Sequence, residues 1–507
     1  MSRGAYRILV AVFLGTFLLQ SAWILAVPPF RGIDEFDHAY RATAVANGEW
    51  LAEGVAPENG RGSLVTATDD VVEAAGPECS ALPYTGPDNC NAVDDVGEGL
   101  VTVGSGAARY HPAFYWVMGK SAALFEGATA LYAMRLAAAL LCAGLVTLAM
   151  HNVMLWSRTR WPYVALLVSI TPVLVYSTAV AAPNGVEMAA GLSLWTALLG
   201  FGRGDLSPNV ERALLWATVP GGVVLTTVRS LGPLWLLLVV LTAVAVLGVP
   251  RVRSVIAEHR ARIGVITAIL VGATLASVWW IRAAGTVSRI ASGDFGDPLT
   301  NTLRLSFLWF FQAIGAFPSR DEPAPMMVYA AYIVVLAGLL GLGYRRASRR
   351  VRGSLLLAIA VSYAVPFLLT LATYSAEGSI WQGRYGLPYS VGVFLIAGLA
   401  LDRADVKHRL LGPALLCGWL CLLAAHVVSV TDVLIGQRAS SPSAGGPSWL
   451  MPEPWQVVLL TVGGWLLWTY AVHRAPASAA CVAVPGDQLD RDQLEEQLDV
   501  RDDAPRL

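Results

Sequence analysis

Apolar runs of about 20 residues recur along this chain from near its start to residue 473, and that repetition constrains its fold more than any other feature. A run of that length spans the hydrocarbon core of a bilayer as an α-helix, where every backbone N–H and C=O finds its partner within the segment. Composition agrees. Of 507 residues, 55% are hydrophobic and only 14% are charged, and the mean hydropathy is +0.57. Ordinary soluble domains carry about 25% charge. The formal net charge of -1 offers no electrostatic footprint for a nucleic acid.

The chain therefore reads as an all-α polytopic membrane protein with about twelve crossings. The runs lie at 6–27, 128–150, 162–182, 185–202, 212–228, 231–249, 263–282, 326–343, 354–373, 387–401, 409–431 and 456–473. The first is flanked by Arg3 and Arg7, is long, and lacks a small-x-small cleavage site. It reads as an uncleaved anchor with a cytoplasmic N-terminus. A polar segment of about residues 28–127 follows outside. Threading the chain from there places WSRTRW, FGRGDLSPNVER, PRVRSVIAEHRARIG, GYRRASRRVRG and LDRADVKHR inside. All are short and basic, as the positive-inside rule requires. A multi-pass protein of the cell membrane with both termini in the cytoplasm is predicted. Two shorter, aromatic-rich stretches, 111–125 and 303–317, read as interfacial or re-entrant helices on the outer side. Residues 1–475 form the membrane domain. The tail, 476–507, contains DQLDRDQLEEQLDVRDD and reads as an acidic, disordered cytoplasmic segment.

Cys142, Cys417 and Cys421 lie in apolar runs and read as packing residues, and Cys481 sits in the tail. Cys79 and Cys90 share the outer loop in ECSALPYTGPDNC. An oxidising outer face permits a disulfide there, pinning a loop rich in Gly and Pro.

The segment directly after the first run, PPFRGIDEFDHAYRA, is dense in charge for a membrane edge. On a helix over 33–47, Asp34, Asp37, His38 and Arg41 share one face at i, i+3, i+4 and i+7. Periodicity alone is equally consistent with a solvated helix start whose acids sit at the N-terminal dipole. Asp34 with His38 is too small a set to define a divalent-metal site, and no cofactor is assigned. Other polar groups fall on the same outer side: Tyr110 and His111, Asn184 and Glu187, Asp294, Asp297 and Arg304, Arg320 with Asp321 and Glu322, and then Gln382, Arg384 and Tyr385. Charge held near hydrocarbon costs about 2.5–3.5 kcal/mol at mid-membrane, so such groups are functional candidates. The inner loops are merely basic and short, which points the chemistry outward.

Three motifs carry a resemblance. They are P-P-x-x-x-x-D-E-x-x-H-x-Y-R from Pro28, then YHPAFYW from Tyr110, then WQGRYGLP from Trp381. In this order, over roughly residues 5–435, the chain resembles the bacterial membrane proteins of domain-of-unknown-function family 2142. It departs from that pattern at His111-Pro112-Ala113, which replaces a double proline, and near Asn184, where the family's usual acid is missing. The family is in turn similar to the membrane-embedded polyprenyl-phosphate-dependent glycosyltransferases, the GT-C type. These include the protein mannosyltransferases and the aminoarabinose transferases. The resemblance implies a GT-C-like fold and an inverting transfer of sugar from a polyprenyl-phosphate-linked donor to a glycan or protein acceptor. In that reading Asp34 is the base, and Glu35 and His38 position acceptor or base. Arg384 holds phosphate, with Arg304, His111 and Gln382 as further binding residues. Tyr110, Trp381 and Tyr385 stack on sugar or line a lipid groove. A carboxylate suits the task of taking the acceptor proton, and an arginine fork suits phosphate oxygens. On the residues alone, Arg384 and Tyr385 are also a snorkelling arginine beside an interfacial aromatic.

Two other classes fit the same composition. A transporter or flippase for a lipid-linked saccharide calls for broken helices, mid-membrane charge and a repeat between halves. No repeat is evident, and Arg135 is an exception among apolar runs that carry few charges. A non-catalytic envelope-assembly protein would use its acidic tail as a contact. The charge pattern itself makes a topological prediction. A cysteine placed at Gly60 or Ser379 is expected to react with an impermeant thiol reagent in intact cells, and one at Ser348 is not. Labelling at Ser348 from outside reverses the map.

Overall fold

A computed structural model of the chain describes residues 2–52, 55–285, 296–378, 381–406 and 412–476. Asp294, Ser379, Cys481 and the tail beyond Pro476 lie outside the described residues.

Every apolar run is helical over most of its described residues. The helices are α1 (Arg3–Ala26), α2 (Glu35–Ala46), α3 (Asp69–Ser80), α4 (Pro87–Cys90), α5 (Pro112–Ala122), α6 (Gly127–Trp156), α7 (Trp161–Ser169), α8 (Pro172–Ala179) and α9 (Pro183–Gly200). They continue as α10 (Pro208–Val228), α11 (Gly232–Leu247), α12 (Val249–Ala284), α13 (Pro298–Gln312), α14 (Met326–Arg346), α15 (Arg349–Glu377), α16 (Leu387–Arg403), α17 (Gly412–Ser440) and α18 (Pro454–Arg474). Among the described residues, eight helices are long and apolar enough to cross a membrane, or nine if α7 and α8 form one span. The expected count of about twelve is thus not reached on length and composition. α11 has only 16 residues, and polar residues dilute α9 and α10. The run at 162–182 is broken by a bend of 61° between α7 and α8. Pro172 has no N–H to continue the helix, and the Thr171 hydroxyl accepts from Leu174 N to start the next one.

α9 is the axis of the bundle. Of its residues only Leu198 is not buried, and α6, α10, α11 and α16 pack around it. The face that α17 turns outward leaves Cys417 exposed and Cys421 half-buried, so only Cys142 of the three is a packed core thiol. The basic stretch expected as a loop at 250–264 is instead the first part of α12, which kinks at His259. There Glu211 of α10 pairs with Arg251 and with His259 Nε2 at 3.0 Å. Glu211, Glu258 and His259 lie together at this kink, and the two buried members are already joined to each other.

The outer segment amends the all-α expectation. It folds around a three-stranded antiparallel sheet, ordered β1 (Ser63–Thr68), β3 (Leu100–Ser105), β2 (Asp94–Gly97). Along β1 burial alternates residue by residue, as a strand with one packed face requires. The sheet packs on α2, as do α3 and α5. Cys79 and Cys90 form the expected disulfide, joining α3 to α4. Gly119 lets α5 lie directly on α2, since a Cβ there would stand 2.1 Å from the Ala42 carbonyl oxygen. The stretch at 303–317 is largely α13, a separate helix of 15 residues whose buried side is Thr302, Ser306 and Trp309.

One ion pair joins these layers. Arg135 of α6 and Glu35 at the start of α2 are both fully buried. Arg135 donates to Glu35 through Nε at 2.8 Å and Nη2 at 2.6 Å. Its Nη1 also donates to the carbonyls of Ile24 and Val27, and Nη2 to that of Pro28. These carbonyls lie in the last turn of α1 and just past it, where a cation is favoured. Glu35 in turn accepts from Ala181 N at 2.9 Å and Gly32 N at 3.3 Å. Removing one member of a satisfied buried pair strands the other, at about 3–5 kcal/mol. Arg135→Met is therefore expected to lower the unfolding midpoint in detergent sharply, and adding Glu35→Leu to restore part of it. An unchanged midpoint for Arg135→Met contradicts this account.

Candidate functional site

The expected acidic face is built differently from a plain helix face. The helix begins at Glu35, and Asp34 precedes it with a left-handed backbone, φ 52° and ψ 20°. Aspartate tolerates that conformation better than most residues. This turn sends two neighbouring acids into different surroundings. Glu35 is enclosed by Arg135, Gly32 and Ala181 with no accessible surface, which puts it out of reach of an acceptor. Asp34 keeps 30% of its side chain exposed.

Arg61 gathers the acids. Its Nη2 donates to Asp34 Oδ1 at 2.9 Å and also to Asp37 Oδ2. Asp37 is buried and accepts from Gly106 N at 2.7 Å. Burial alone would raise the Asp34 pKa, but the Arg61 guanidinium outweighs it and holds the carboxyl below its usual range. For Asp37 burial wins, and with the neighbouring Asp34 charge it lifts the carboxyl to about 6 against the pull of Arg61. His38 lies 2.8 Å through Nδ1 from the Tyr115 hydroxyl and stacks on that ring. Burial pushes its pKa down to about 3, so the ring is neutral at pH 7. Arg41 is used structurally, donating to the carbonyls of Glu49, Trp50 and Tyr110.

The second half of the site arrives from far along the chain. Residues 383–386 form a 3-10 turn before α16. Gly383 is needed there, because a Cβ would stand 1.9 Å from the Trp309 carbonyl oxygen. Gln312 Oε1 accepts from Gly383 N at 2.9 Å and fixes the turn to α13. The turn carries Arg384, which is 2% exposed and lies near the Tyr385 ring. Its Nε and Nη2 are buried and have no hydrogen-bond partner among the described residues. Arg384 is close enough to Asp34 and His38 to influence the charge of both. Arg229, at the corner between α10 and α11, stands 4.3 Å from the Tyr385 ring centroid, reaches Glu187 Oε2 at 3.4 Å and engages the Tyr110 hydroxyl.

Asp34, His38, Tyr110, Arg384 and Tyr385 thus come together from three stretches of the chain. Trp381 packs among Trp235, Trp309 and Tyr385 and is 7% exposed, so the expected open stacking face is taken by protein rings. Gln382 is buried with Oε1 unpartnered. His111 caps α5 and meets the edge of Trp280 rather than the acids. Arg304 is not brought in. It is exposed on α13, opposite the side formed by Thr302, Ser306 and Trp309. Sequence reasoning missed Arg61, Tyr84 and Tyr115. Arg61 lies in an otherwise unremarked Gly-Arg-Gly, and only the sheet brings it to Asp34.

A family model described as "Predicted membrane protein (DUF2142)" matches residues 17–393. The chain belongs to this family. The DUF2142 match runs from α1 into α16, so it covers every residue of the cluster and leaves α17 and α18 outside. Among solved structures, the chain is similar to ArnT from Cupriavidus metallidurans bound to undecaprenyl phosphate, at 16% identity and a TM-score of 0.45, covering 95% of this chain and 79% of that one. The same protein in the apo state matches at 15% identity and a TM-score of 0.42, covering 91% and 76%. No curated protein sequence matches the DUF2142 chain.

The His38 environment sets a pH dependence. Between pH 6.5 and about 3 the unfolded chain takes up a proton that the folded ring refuses, so this stability is present above pH 6.5 and lost as pH falls. Relative to His38→Gln, the wild type is expected to lose about 2 kcal/mol between pH 7 and pH 5. Unfolding in detergent at both values checks it, and a gap independent of pH refutes it.

Proposed function

We propose that this DUF2142 protein is a membrane glycosyltransferase that moves a sugar from a polyprenyl-phosphate donor to a cell-envelope acceptor at the outer face. The observation that carries the reading is the nearness of Arg384 to Asp34, close enough to influence its charge without being bonded to it. An ionised, partly exposed carboxylate stands near a buried guanidinium whose Nε and Nη2 are unpartnered among the described residues. A buried cation left with free donors is costly unless an anion meets it, and a planar fork suits phosphate oxygens. A base beside an anion site is what inverting transfer from a lipid phosphate needs.

In this reading the acceptor hydroxyl attacks the anomeric carbon and its proton passes to the Asp34 carboxylate. The new C–O bond forms as the bond from that carbon to the phosphate oxygen breaks. The lipid phosphate leaves with the electron pair, and Arg384 offsets its growing charge. His38, neutral and held by Tyr115, shapes the approach without adding a second charge. Tyr110 and Tyr385, both half-buried against Arg229, form the wall for the sugar. Glu35 acts through Arg135, holding the segment that presents Asp34. The outer placement is supported by the short basic loops assigned to the inner side.

One experiment separates the two roles. With a polyprenyl-phosphate sugar, Asp34→Asn is expected to abolish transfer while still binding donor, since asparagine accepts no proton at neutral pH. Arg384→Lys is expected to weaken donor binding by about 10- to 150-fold, the equivalent of about 1.5–3 kcal/mol for a charge-assisted hydrogen bond. Full transfer by Asp34→Asn removes that residue from the mechanism. Equal donor affinity for wild type and Arg384→Lys reduces Arg384 to a generic charge.

A further inference from the structure

We propose that Arg61 is the positioning residue of the base: it holds the partly exposed Asp34 in place, with Asp37 as the fixed end of the fork. The inference rests on Asp34 being the base. It adds a residue that no motif marks and divides the roles of the two acids that share it.

The fork is asymmetric. Asp37 is tied to the end of β3, with Oδ1 accepting from Gly106 N and its carbonyl accepting from the Ser105 hydroxyl at 2.8 Å. Its side chain is 2% exposed. Asp34 has no such tie among the described residues, and its ion-pair partner is Arg61. A single nitrogen of Arg61 meets both carboxylates, so the anchored acid fixes the guanidinium and the guanidinium fixes the free acid. The guanidinium is itself placed. It lies between the rings of Phe36 and Tyr84, 5.6 Å and 4.7 Å from their centroids. Asn89 holds the backbone of Arg61 from both sides, accepting from its N–H and donating to its carbonyl, each at 3.0 Å. Asn89 also donates to Gly104 O at 2.9 Å and precedes Cys90 of the disulfide. The position of the base is therefore set by the outer sheet and its cross-link as well as by α2.

The charges around Asp34 come from every neighbouring element. Arg61 comes from the outer loop, His38 and Asp37 from α2, and Arg384 from the 3-10 turn, with Tyr84 and Arg31 close to the fork. Arg61 is the cation hydrogen-bonded to Asp34. An opposite charge at that range lowers a carboxyl pKa by about 1–3 units.

The test uses a carbodiimide, which modifies protonated carboxyls, on the full chain in native membranes. Peptide mass spectrometry then reads Asp34 modification across pH. Arg61→Gln is expected to raise the pH of half-modification by about 1–3 units, while Arg61→Lys, which keeps the charge, stays within about one unit of wild type. An unchanged value in Arg61→Gln overturns the proposal, as does an equal rise in both variants. Should Arg61→Gln not be recovered folded, Asp37→Asn replaces it. That change leaves Arg61 to Asp34 alone and is expected to lower the half-modification pH, and no change overturns the shared fork. The acid limb of sugar transfer is read in parallel. A modification shift without a matching shift in that limb leaves Arg61's role intact and refutes Asp34 as the base.

Discussion

The buried pair between Glu35 and Arg135 is the interaction on which the rest of this structure depends. A guanidinium with no accessible surface is tolerable only when its donors are matched, and here Arg135 satisfies a carboxylate and three backbone carbonyls together. Those carbonyls belong to the end of α1 and the residues just after it. One side chain of α6 therefore ends the first helix, fixes the turn that follows and seats the first residue of α2. The outer segment is hung from that point, and so is the polar cluster.

Two adjacent acids show how backbone conformation divides labour. Asp34 and Glu35 are neighbours in sequence, yet one is enclosed and structural while the other is partly open. The left-handed backbone at Asp34 makes the separation, because it puts a break between the last turn residue and the first helical one. A continuous helix would have spread the acids around its surface at 100° steps, without separating buried from open. Arg61 then completes the arrangement from outside the helix, and Arg384 faces it from the opposite end of the chain.

Much of the site was legible in the sequence where local chemistry was unusual. The density of charge in PPFRGIDEFDHAYRA at a membrane edge marks Asp34 and His38, and the Arg in WQGRYGLP marks Arg384. Tyr110 and Tyr385 follow from the same motifs. The sequence marked Trp381 as a residue to stack on sugar or line a lipid groove, and in the fold it packs among Trp235, Trp309 and Tyr385. Arg304 was read as a partner because its charge lies on the outer side, but helical phase turns it away from the cluster. Arg61 carried no signal, since a lone arginine between glycines gains meaning only from what a sheet brings beside it.

By itself the sequence determined that the chain is a helical membrane protein, that Cys79 and Cys90 can pair, and which motifs hold the charge. These are properties of segment length, composition and spacing, and the bilayer enforces them one segment at a time. Tertiary structure decided the rest. It bent the third run at Pro172, hid three strands in a polar outer segment and paired Glu35 with Arg135 across 100 residues. It also brought Arg61 to Asp34 across 27 residues and left the Arg384 donors unpartnered. Each of these depends on which surfaces meet, and the energy of a buried charge is set by the partners it meets in space, whatever its neighbours in sequence.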